Sequence, residues 1–193
     1  MAKPAGSACN LDCAYCFYLS KRVLPGGPGS GHMPDDVLER FVKDYIDSIT
    51  ADEVVFSWQG GEPTLLGLEF FEKVVTLQKK HARAGQRIEN DLQTNGTLLD
   101  DDWARFLKQH RFLVGLSIDG PREIHDHCRI TKHAEPTFDQ VFAAAKMLQK
   151  HGVRFNTLTC VHRYNASRPL DVYRFLRRGA YRVRTLERSS PTA

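Results

Sequence analysis

Residues 112–120 read Phe-Leu-Val-Gly-Leu-Ser-Ile-Asp-Gly, an apolar run that ends in polar residues and glycine. A short apolar run bounded by turn residues is typical of a buried β-strand. The run therefore predicts a strand in the interior of a sheet. It also predicts that Ser117, Asp119 and Gly120 lie at the carboxyl end of that strand.

Strand-like and helix-like segments alternate on both sides of this run. Further strands are predicted at residues 53–58, 88–93 and 153–160, and helices at residues 34–49, 67–81, 100–109, 137–151 and 169–178. Helices placed between apolar strands indicate parallel β/α units. Because crossovers between parallel strands are right-handed, such units curl toward a barrel or part of one. The predicted fold class is α/β, a partial (β/α) barrel with parallel strands and the helices outside.

Composition excludes several classes of function. The 193 residues include 27 Lys and Arg against 23 Asp and Glu, a small and scattered excess of +4. This balance disfavours a dedicated nucleic-acid or membrane surface. No apolar run approaches the ~20 residues of a membrane-spanning helix, and the amino terminus lacks a signal-peptide core. We expect a soluble cytoplasmic domain, with the Gly/Pro-rich residues 25–31 as a flexible loop.

Polar and glycine-rich clusters follow the ends of the predicted strands. Gln-Gly-Gly-Glu-Pro occupies residues 59–63, and Gln-Thr-Asn-Gly occupies residues 93–96. Because the carboxyl ends of parallel strands meet at one rim of a barrel, their loops converge there. Each cluster alone is a common turn sequence. Together with residues 117–120 they predict a functional site on that rim.

The cysteines indicate a metal site. Cys9, Cys13 and Cys16 stand within eight residues, and Cys128 and Cys160 lie far along the chain. An odd number of thiols with three in one loop is a poor disulfide framework. Such a loop can wrap three sulfurs around three irons of a cubane cluster and leave the fourth iron without a protein ligand.

Because thiolates are soft ligands, zinc and copper(I) are the alternative metals, and a structural zinc site usually requires a second pair of ligands. The chain has no second Cys-x-x-Cys pair. His125, His127, Cys128 and His133 stand close together and could imitate one. The simpler interpretation of this segment is a polar loop after a strand.

Five motifs in order resemble one known family. They are Lys-Pro-Ala-Gly at 3–6, Cys-Asn-Leu-Asp-Cys-Ala-Tyr-Cys-Phe-Tyr at 9–18, Trp-Gln-Gly-Gly-Glu-Pro-Thr-Leu at 58–65, Gln-Thr-Asn-Gly at 93–96 and Ser-Ile-Asp-Gly-Pro at 117–121. The spaced thiols resemble those of radical S-adenosylmethionine (SAM) enzymes. The full set is similar to the anaerobic sulfatase-maturating enzymes, from about residue 3 to about residue 165. The resemblance implies a partial barrel of the radical SAM type.

The resemblance also implies roles for individual residues. Cys9, Cys13 and Cys16 would hold a 4Fe-4S cluster, whose open iron would chelate the methionine group of SAM. Residues that would contact SAM are Tyr15, Gly60, Gly61, Glu62, Gln93, Asn95, Ser117 and Arg129. Tyr18 would face the substrate peptide.

The implied reaction is oxidation of a Cys or Ser of a sulfatase polypeptide to Cα-formylglycine. An electron from the cluster would cleave SAM to a 5′-deoxyadenosyl radical, which removes a Cβ hydrogen from the target. An electron donor such as flavodoxin or ferredoxin would be a partner, in a reducing cytoplasm. Neither nucleic acid nor a membrane is expected as a partner.

The sequence departs from the family after about residue 176. Family members continue into a cysteine-rich carboxyl-terminal region with two auxiliary clusters and a catalytic acid, so no catalytic residue is assigned here. We expect a radical SAM core at residues 1–176 whose first strand is clipped to Met1 and Ala2. Residues 177–193 are expected to form a divergent, basic and disordered tail, and the auxiliary-cluster domain to be absent. The chain is thus expected to be a fragment.

Two other functions stay open at this point. The same core motifs serve other radical SAM enzymes that mature peptides, and the missing region helps to choose among their substrates. A non-catalytic module that binds metal through its thiolates is the alternative from a different class.

Overall fold

The structure, a computed structural model, describes residues 1–18 and 32–179, together with the backbone of residues 182–188. The loop expected at residues 25–31 lies outside the described residues. None of the helices in the described ranges has the length and apolar character that crossing a bilayer requires.

The described residues contain a five-stranded sheet in which all neighbouring strands are parallel. The strands, in sheet order, are β1 (Glu53–Trp58), β2 (Arg87–Thr94), β3 (Leu113–Ser117), β4 (Arg154–Val161) and β5 (Arg182–Arg188). Their order in the sheet is their order in the chain, as expected when each strand is followed by a crossover to the next position. The four predicted strands and the α/β class are confirmed.

Helices connect the strands. They are α1 (Asp35–Ser48), α2 (Leu68–His81), α3 (Asp101–Gln109), α4 (Arg122–Cys128), α5 (Phe138–Lys150), α6 (Arg163–Ala166) and α7 (Pro169–Arg178), with a 3-10 turn at Pro63–Leu66. The five helices predicted from periodicity match α1, α2, α3, α5 and α7 to within two residues at each end. Gly152 follows α5 with a positive φ of 64°, which a glycine adopts without strain at the end of a helix.

The core lies between the helices and one face of the sheet. Along β1, Val54, Phe56 and Trp58 are buried, whereas Glu53 and Val55 are exposed. Because side chains alternate across a strand, the helices cover one face and the second face is open. One-sided burial of this kind along β1 is that of a barrel wall with packed helices outside.

Helix α4 differs from the sequence-based prediction. The segment from His125 to His133 was expected to be a polar loop, but Arg122–Cys128 is helical. Ile124, His125 and Cys128 form its buried side. A helix of two turns is too short for a periodic pattern to be recognised, and α4 has Ile124 as its one aliphatic residue among polar ones.

The end of the chain also differs from the prediction. Disorder was expected from residue 177, whereas α7 continues to Arg178 and residues 182–188 pair with β4 as β5. The edge of β4 presents unpaired N–H and C=O groups, which any backbone can pair with whatever its side chains. The pairing is irregular between Thr157 and Leu158 of β4, where the register shifts.

The amino terminus lies along the other edge of the sheet. Ala2 forms an isolated parallel bridge to Trp58. Its N–H donates to Ser57 O at 2.8 Å, and its carbonyl accepts from Gln59 N at 3.0 Å. These two bonds bring the residues before the cysteine loop to the carboxyl end of β1.

A buried polar cluster joins the sheet to α2 and yields a stability prediction. Asn90 Oδ1 accepts from Trp58 Nε1 and from Gln78 Nε2, each at 2.8 Å.

Replacing Asn90→Ala leaves both donors buried without this acceptor, so we expect a loss of about 2–4 kcal/mol in the free energy of unfolding. Urea denaturation measures this free energy. The control is Thr76→Ala at an exposed position, which should lower the free energy of unfolding by less than about 0.5 kcal/mol. A loss below 1 kcal/mol for Asn90→Ala would contradict the assignment.

Candidate functional site

The loops that follow β1 and β2 meet the amino-terminal cysteine loop at one rim. Gly61 N donates to Gly6 O at 2.9 Å, and Glu62 N donates to Ala8 O at 2.7 Å. On the β2 side, Asn95 Nδ2 donates to Asn10 Oδ1 at 2.9 Å. The structure thus brings together, at the carboxyl ends of the strands, motifs that stand up to 90 residues apart in the chain.

The cysteine loop is folded as a tight turn against α4. Cys16 N donates to Cys13 O, and Ala14 N donates to Cys128 O, which ends α4. Cys9, Cys13 and Cys16 are free thiols, with Cys13 buried and the other two half-buried. Burial is the main cause that raises the pKa of Cys13 to about 12; the charge of Arg129 opposes the rise, and those of Cys9 and Cys16 add to it. Cys9 and Cys16 are therefore both near enough to Cys13 to affect its ionisation.

The donor set fits an iron–sulfur cluster. In the described part of the chain no three His, Cys, Asp or Glu side chains converge closely enough to share one metal ion. Thiolates of a cubane bind different irons and need no common point. Cys9 Sγ already accepts from Leu11 N at 3.4 Å and from Asn95 Nδ2 at 3.8 Å. Such N–H donors to sulfur help to set the reduction potential of a cluster.

The two glycines of the first motif have a packing role in the structure. A Cβ built on Gly61 would stand 2.0 Å from Ala8 O, and one on Gly60 would stand 2.8 Å from Gly6 O. Gly60 also has φ of 132°, which other residues rarely adopt. Sequence reasoning assigned these glycines to a close approach by SAM. In the structure they allow the cysteine loop to pack backbone to backbone on the end of β1.

Glu62 is buried and connects the two rim loops. Its Oε1 accepts from Thr64 N (3.0 Å), Thr64 Oγ1 (2.7 Å) and Thr94 Oγ1 (2.8 Å), and its Oε2 accepts from Asn95 N (2.6 Å). Burial raises the pKa of Glu62 above its usual range, although these hydrogen bonds oppose the rise. Oε1 is saturated by protein donors. Oε2 has one such donor, which leaves an acceptor position for a ligand.

Tyr15, Asp119 and Arg129 form a second buried cluster. Asp119 Oδ2 accepts from Arg129 Nε at 2.9 Å and from the Tyr15 hydroxyl, and Oδ1 accepts from Arg129 Nη2 at 3.2 Å. Burial opposes ionisation of Asp119, but the Arg129 charge and these hydrogen bonds outweigh it and lower the pKa. The Arg129 guanidinium lies 5.4 Å from the centre of the Tyr15 ring, in cation–π contact.

His125 supports the backbone of this cluster through hydrogen bonds. Its Nδ1 accepts from Asp119 N at 3.3 Å, so Nε2 carries the proton and faces Thr137 Oγ1 at 3.1 Å. Thr137 Oγ1 in turn donates to Arg129 O at 2.7 Å. Burial lowers the pKa of His125 to about 3, which keeps the imidazole neutral. Because both ring nitrogens contact protein groups, His125 has a structural role in this cluster.

The remaining predicted site residues lie around these clusters. Ser117 is buried at the end of β3, and Gln93 is half-buried on β2 opposite Gly115. Tyr18 is half-buried, with Lys3 Nζ 5.3 Å from the centre of its ring. Their roles toward SAM and peptide stay predictions.

Sequence reasoning gave no role to two residues that the structure places at the site. Asp119 belongs to a quoted motif, but nothing local indicates that it faces Tyr15, 104 positions away. His162 stacks on Tyr15, with ring centres 5.4 Å apart, and its Nδ1 lies 3.7 Å from Cys128 Sγ. His162 stands just after a predicted strand end, and that position was its only available signal.

Fold and site together define part of a β/α barrel that carries three closely spaced cysteine thiols on its carboxyl-terminal rim. The chain belongs to the radical SAM superfamily, whose family model matches residues 4–176.

Two curated relatives and one solved structure are closely similar. The chain is 46% identical over 177 residues to the serine-type anaerobic sulfatase-maturating enzyme of Bacteroides thetaiotaomicron, covering 92% of this chain and 42% of the relative. It is 47% identical over 178 residues to the cysteine-type anaerobic sulfatase-maturating enzyme of Clostridium perfringens, covering 92% of this chain and 48% of that relative. The structure of native anSMEcpe with bound AdoMet and Kp18Cys peptide matches with a TM-score of 0.89 at 44% identity, over 97% of this chain and 50% of that one. The chain spans about half the length of these relatives.

The replacement Gly61→Ala tests whether the cysteine loop depends on close backbone packing against the end of β1. The added methyl group would overlap Ala8 O, so we expect a loss of about 1–3 kcal/mol in unfolding free energy. We also expect less iron bound per chain after anaerobic reconstitution. Gly85→Ala is the control: its Cβ meets nothing within 4 Å, and although its φ of 86° makes the replacement strained, it lies before β2, away from the cysteine loop, so full iron loading should be retained. Equal iron in the two variants would contradict the packing role.

The buried His125 predicts a pH dependence of stability. Its folded-state pKa, about 3, lies below the ordinary 6.5, so the unfolded chain binds more protons between these values. Stability is therefore complete above pH 6.5 and is lost as the pH falls toward 3. Between pH 7 and pH 5 this group should cost about 2 kcal/mol.

Urea denaturation of metal-free wild type and His125→Asn at the two pH values checks this expectation. Asparagine keeps an acceptor for Asp119 N but does not titrate, so the variant should lose about 2 kcal/mol less than wild type on acidification. The exposed His133→Asn should behave as wild type. Identical losses in wild type and His125→Asn would overturn the assignment.

Proposed function

We propose that this chain binds a 4Fe-4S cluster through Cys9, Cys13 and Cys16 and binds SAM beside it. The observation that carries the proposal is the seating of a three-thiol loop on the carboxyl-terminal rim of a parallel β/α sheet. Membership of the radical SAM superfamily supports the same cofactors.

The polar groups of the rim suit the charges of SAM. Glu62 Oε2 would accept from the ammonium of the methionine group, beside the backbone of Gly60 and Gly61. Arg129 would bind the carboxylate, because a guanidinium matches it in geometry and charge. Ser117 would bond the ribose. Tyr15, Gln93 and Asn95 would complete the surroundings of the cofactor.

Together the cluster and SAM supply a one-electron cleavage that produces a 5′-deoxyadenosyl radical. The residues of this chain bind and orient the cofactor and shield it from water. Cys13, Glu62, Asp119 and Arg129 are all buried, so their interactions are stronger than they would be in water. The chemistry belongs to the cofactors, and the protein provides their placement.

For the protein's activity we propose oxidation of a Cys or Ser in a sulfatase polypeptide to Cα-formylglycine. Support comes from the serine-type and cysteine-type maturating enzymes, which are 46% and 47% identical to this chain. These near-equal values favour neither target residue. Tyr18, beside Lys3 at the site, is the proposed contact for the peptide.

The proposed setting follows from the cofactor. An exposed cluster is readily oxidised, which favours a reducing cytoplasm and an electron donor of the flavodoxin or ferredoxin class. Free thiols at all five cysteines are compatible with such a compartment. Neither nucleic acid nor a membrane is part of the proposal.

Anaerobic reconstitution tests the cofactor assignment. We expect about four irons and four sulfides per wild-type chain, and SAM cleavage to 5′-deoxyadenosine under dithionite. Cys13→Ala should abolish cluster assembly, whereas Cys128→Ala, an equal thiol loss outside the loop, should retain it. A colourless zinc protein, or a retained cluster in Cys13→Ala, would refute the proposal and favour a non-catalytic metal module.

A deuterated peptide tests the substrate. The reconstituted chain is incubated with SAM and a Cys-x-Pro-x-Arg peptide that carries deuterium at Cβ of the cysteine. Deuterium in the 5′-deoxyadenosine is the expected result. Formylglycine is expected once a carboxyl-terminal half like that of the relatives is joined to the chain, because the substrate radical must then lose a second electron. SAM cleavage without deuterium transfer would instead indicate another peptide-maturing radical SAM enzyme.

A further inference from the structure

We propose that Asp119 is a positioning residue of the SAM site, which holds Arg129 and Tyr15 in the orientation that receives the carboxylate of the ligand. The inference rests on the proposed function, and it assigns Asp119 a role through its neighbours rather than a contact with SAM.

The first observation is the saturation of the carboxylate. Asp119 is fully buried, and its two oxygens accept from four donors: Arg129 Nε, Arg129 Nη2, the Tyr15 hydroxyl and Cys160 N. An ionised carboxylate has about four acceptor positions, so none is left for a ligand. Asp119 therefore serves the protein rather than the cofactor.

The second observation is the direction in which Arg129 is held. Nε and Nη2 are engaged by Asp119, and Nη1 forms no hydrogen bond to the residues that the structure describes. The ring of Tyr15 limits rotation of the guanidinium, which lies 5.4 Å from its centre. One edge of the planar guanidinium is thus fixed, and the two N–H groups of Nη1 and the second N–H of Nη2 remain for an incoming anion.

The third observation is that the backbone on both sides of the pair is held. His125 bonds to Asp119 N, and Thr137 bonds to Arg129 O. Asp119 also reaches β4 through Cys160 N at 3.0 Å, and it reaches the cysteine loop through Tyr15. The Asp119 side chain therefore connects the cysteine loop, the ends of β3 and β4, and the end of α4. A guanidinium held in this way binds its ligand without the entropy cost of ordering a long side chain.

A purely structural role is the alternative, because removal of one partner leaves a buried charge uncompensated. A double-mutant cycle separates the two roles. If Asp119 acts on SAM only through Arg129, its replacement has no further effect on SAM affinity once Arg129 is gone. If Asp119→Asn acted by a general loss of stability, it would weaken SAM binding both in the wild-type chain and in the Arg129→Gln variant.

The experiment uses the anaerobically reconstituted chain in four forms: wild type, Asp119→Asn, Arg129→Gln and the double variant. Calorimetry measures the Kd for SAM per iron-loaded chain, and urea denaturation measures stability. Asp139→Asn is the matched control, since it breaks an exposed Asp–Arg pair with Arg122 between α4 and α5.

We expect Asp119→Asn and Arg129→Gln each to weaken SAM binding by about 10- to 100-fold, the range for loss of a charged hydrogen bond. The double variant should bind no more weakly than Arg129→Gln, and it should be more stable than Asp119→Asn because the unpaired charge is gone. Asp139→Asn should bind SAM as wild type does. An unchanged Kd in Asp119→Asn, or a full additional loss in the double variant, would overturn the inference.

Two further variants apply if Asp119→Asn loads no iron. Tyr15→Phe removes one donor to Asp119 and keeps the ion pair, and Asp119→Glu keeps the charge but shifts the carboxylate. Both should load iron and bind SAM more weakly than wild type, and wild-type affinity in both would refute the positioning role. A wild-type chain with a full cluster and no SAM binding would instead refute the proposed function itself.

Discussion

The site depends on backbone contact between the cysteine loop and the end of β1. Gly61 N and Glu62 N bond the loop at Gly6 and Ala8, and the missing side chains of Gly60 and Gly61 make this approach possible. The contact fixes where three thiols stand relative to the sheet. A cluster bound by those thiols, as proposed, would take its position on the rim from this one packing constraint.

Two buried carboxylates extend this constraint across the rim. Glu62 connects the loops after β1 and β2, and Asp119 connects the ends of β3 and β4 to the cysteine loop. Each is saturated largely by donors from the protein, which offsets the cost of burying its charge. The rim is thereby held in one arrangement before a ligand binds, as expected of a site that must shield reactive chemistry.

Much of the fold could be predicted from sequence because its signals are local. The apolar runs of β1 and β3, and the periodic faces of α1, α2 and α5, depend on residues close in the chain. The rim location followed as well, since polar clusters after successive parallel strands must converge. Helix α4 was missed because two turns carry too little pattern, and β5 because its pairing depends on an open strand edge.

By itself the sequence determined the chemistry of the site: three closely spaced thiols, a Gly-Gly-Glu turn and the polar ends of the strands. Only the tertiary structure decided how these groups are used. It showed that the glycines seat a loop, that Asn95 bonds Cys9 Sγ, and that Asp119 joins Arg129 to Tyr15. The physical reason is sequence separation: local patterns carry information about near neighbours, whereas a contact across 104 residues exists only after the chain has closed on itself.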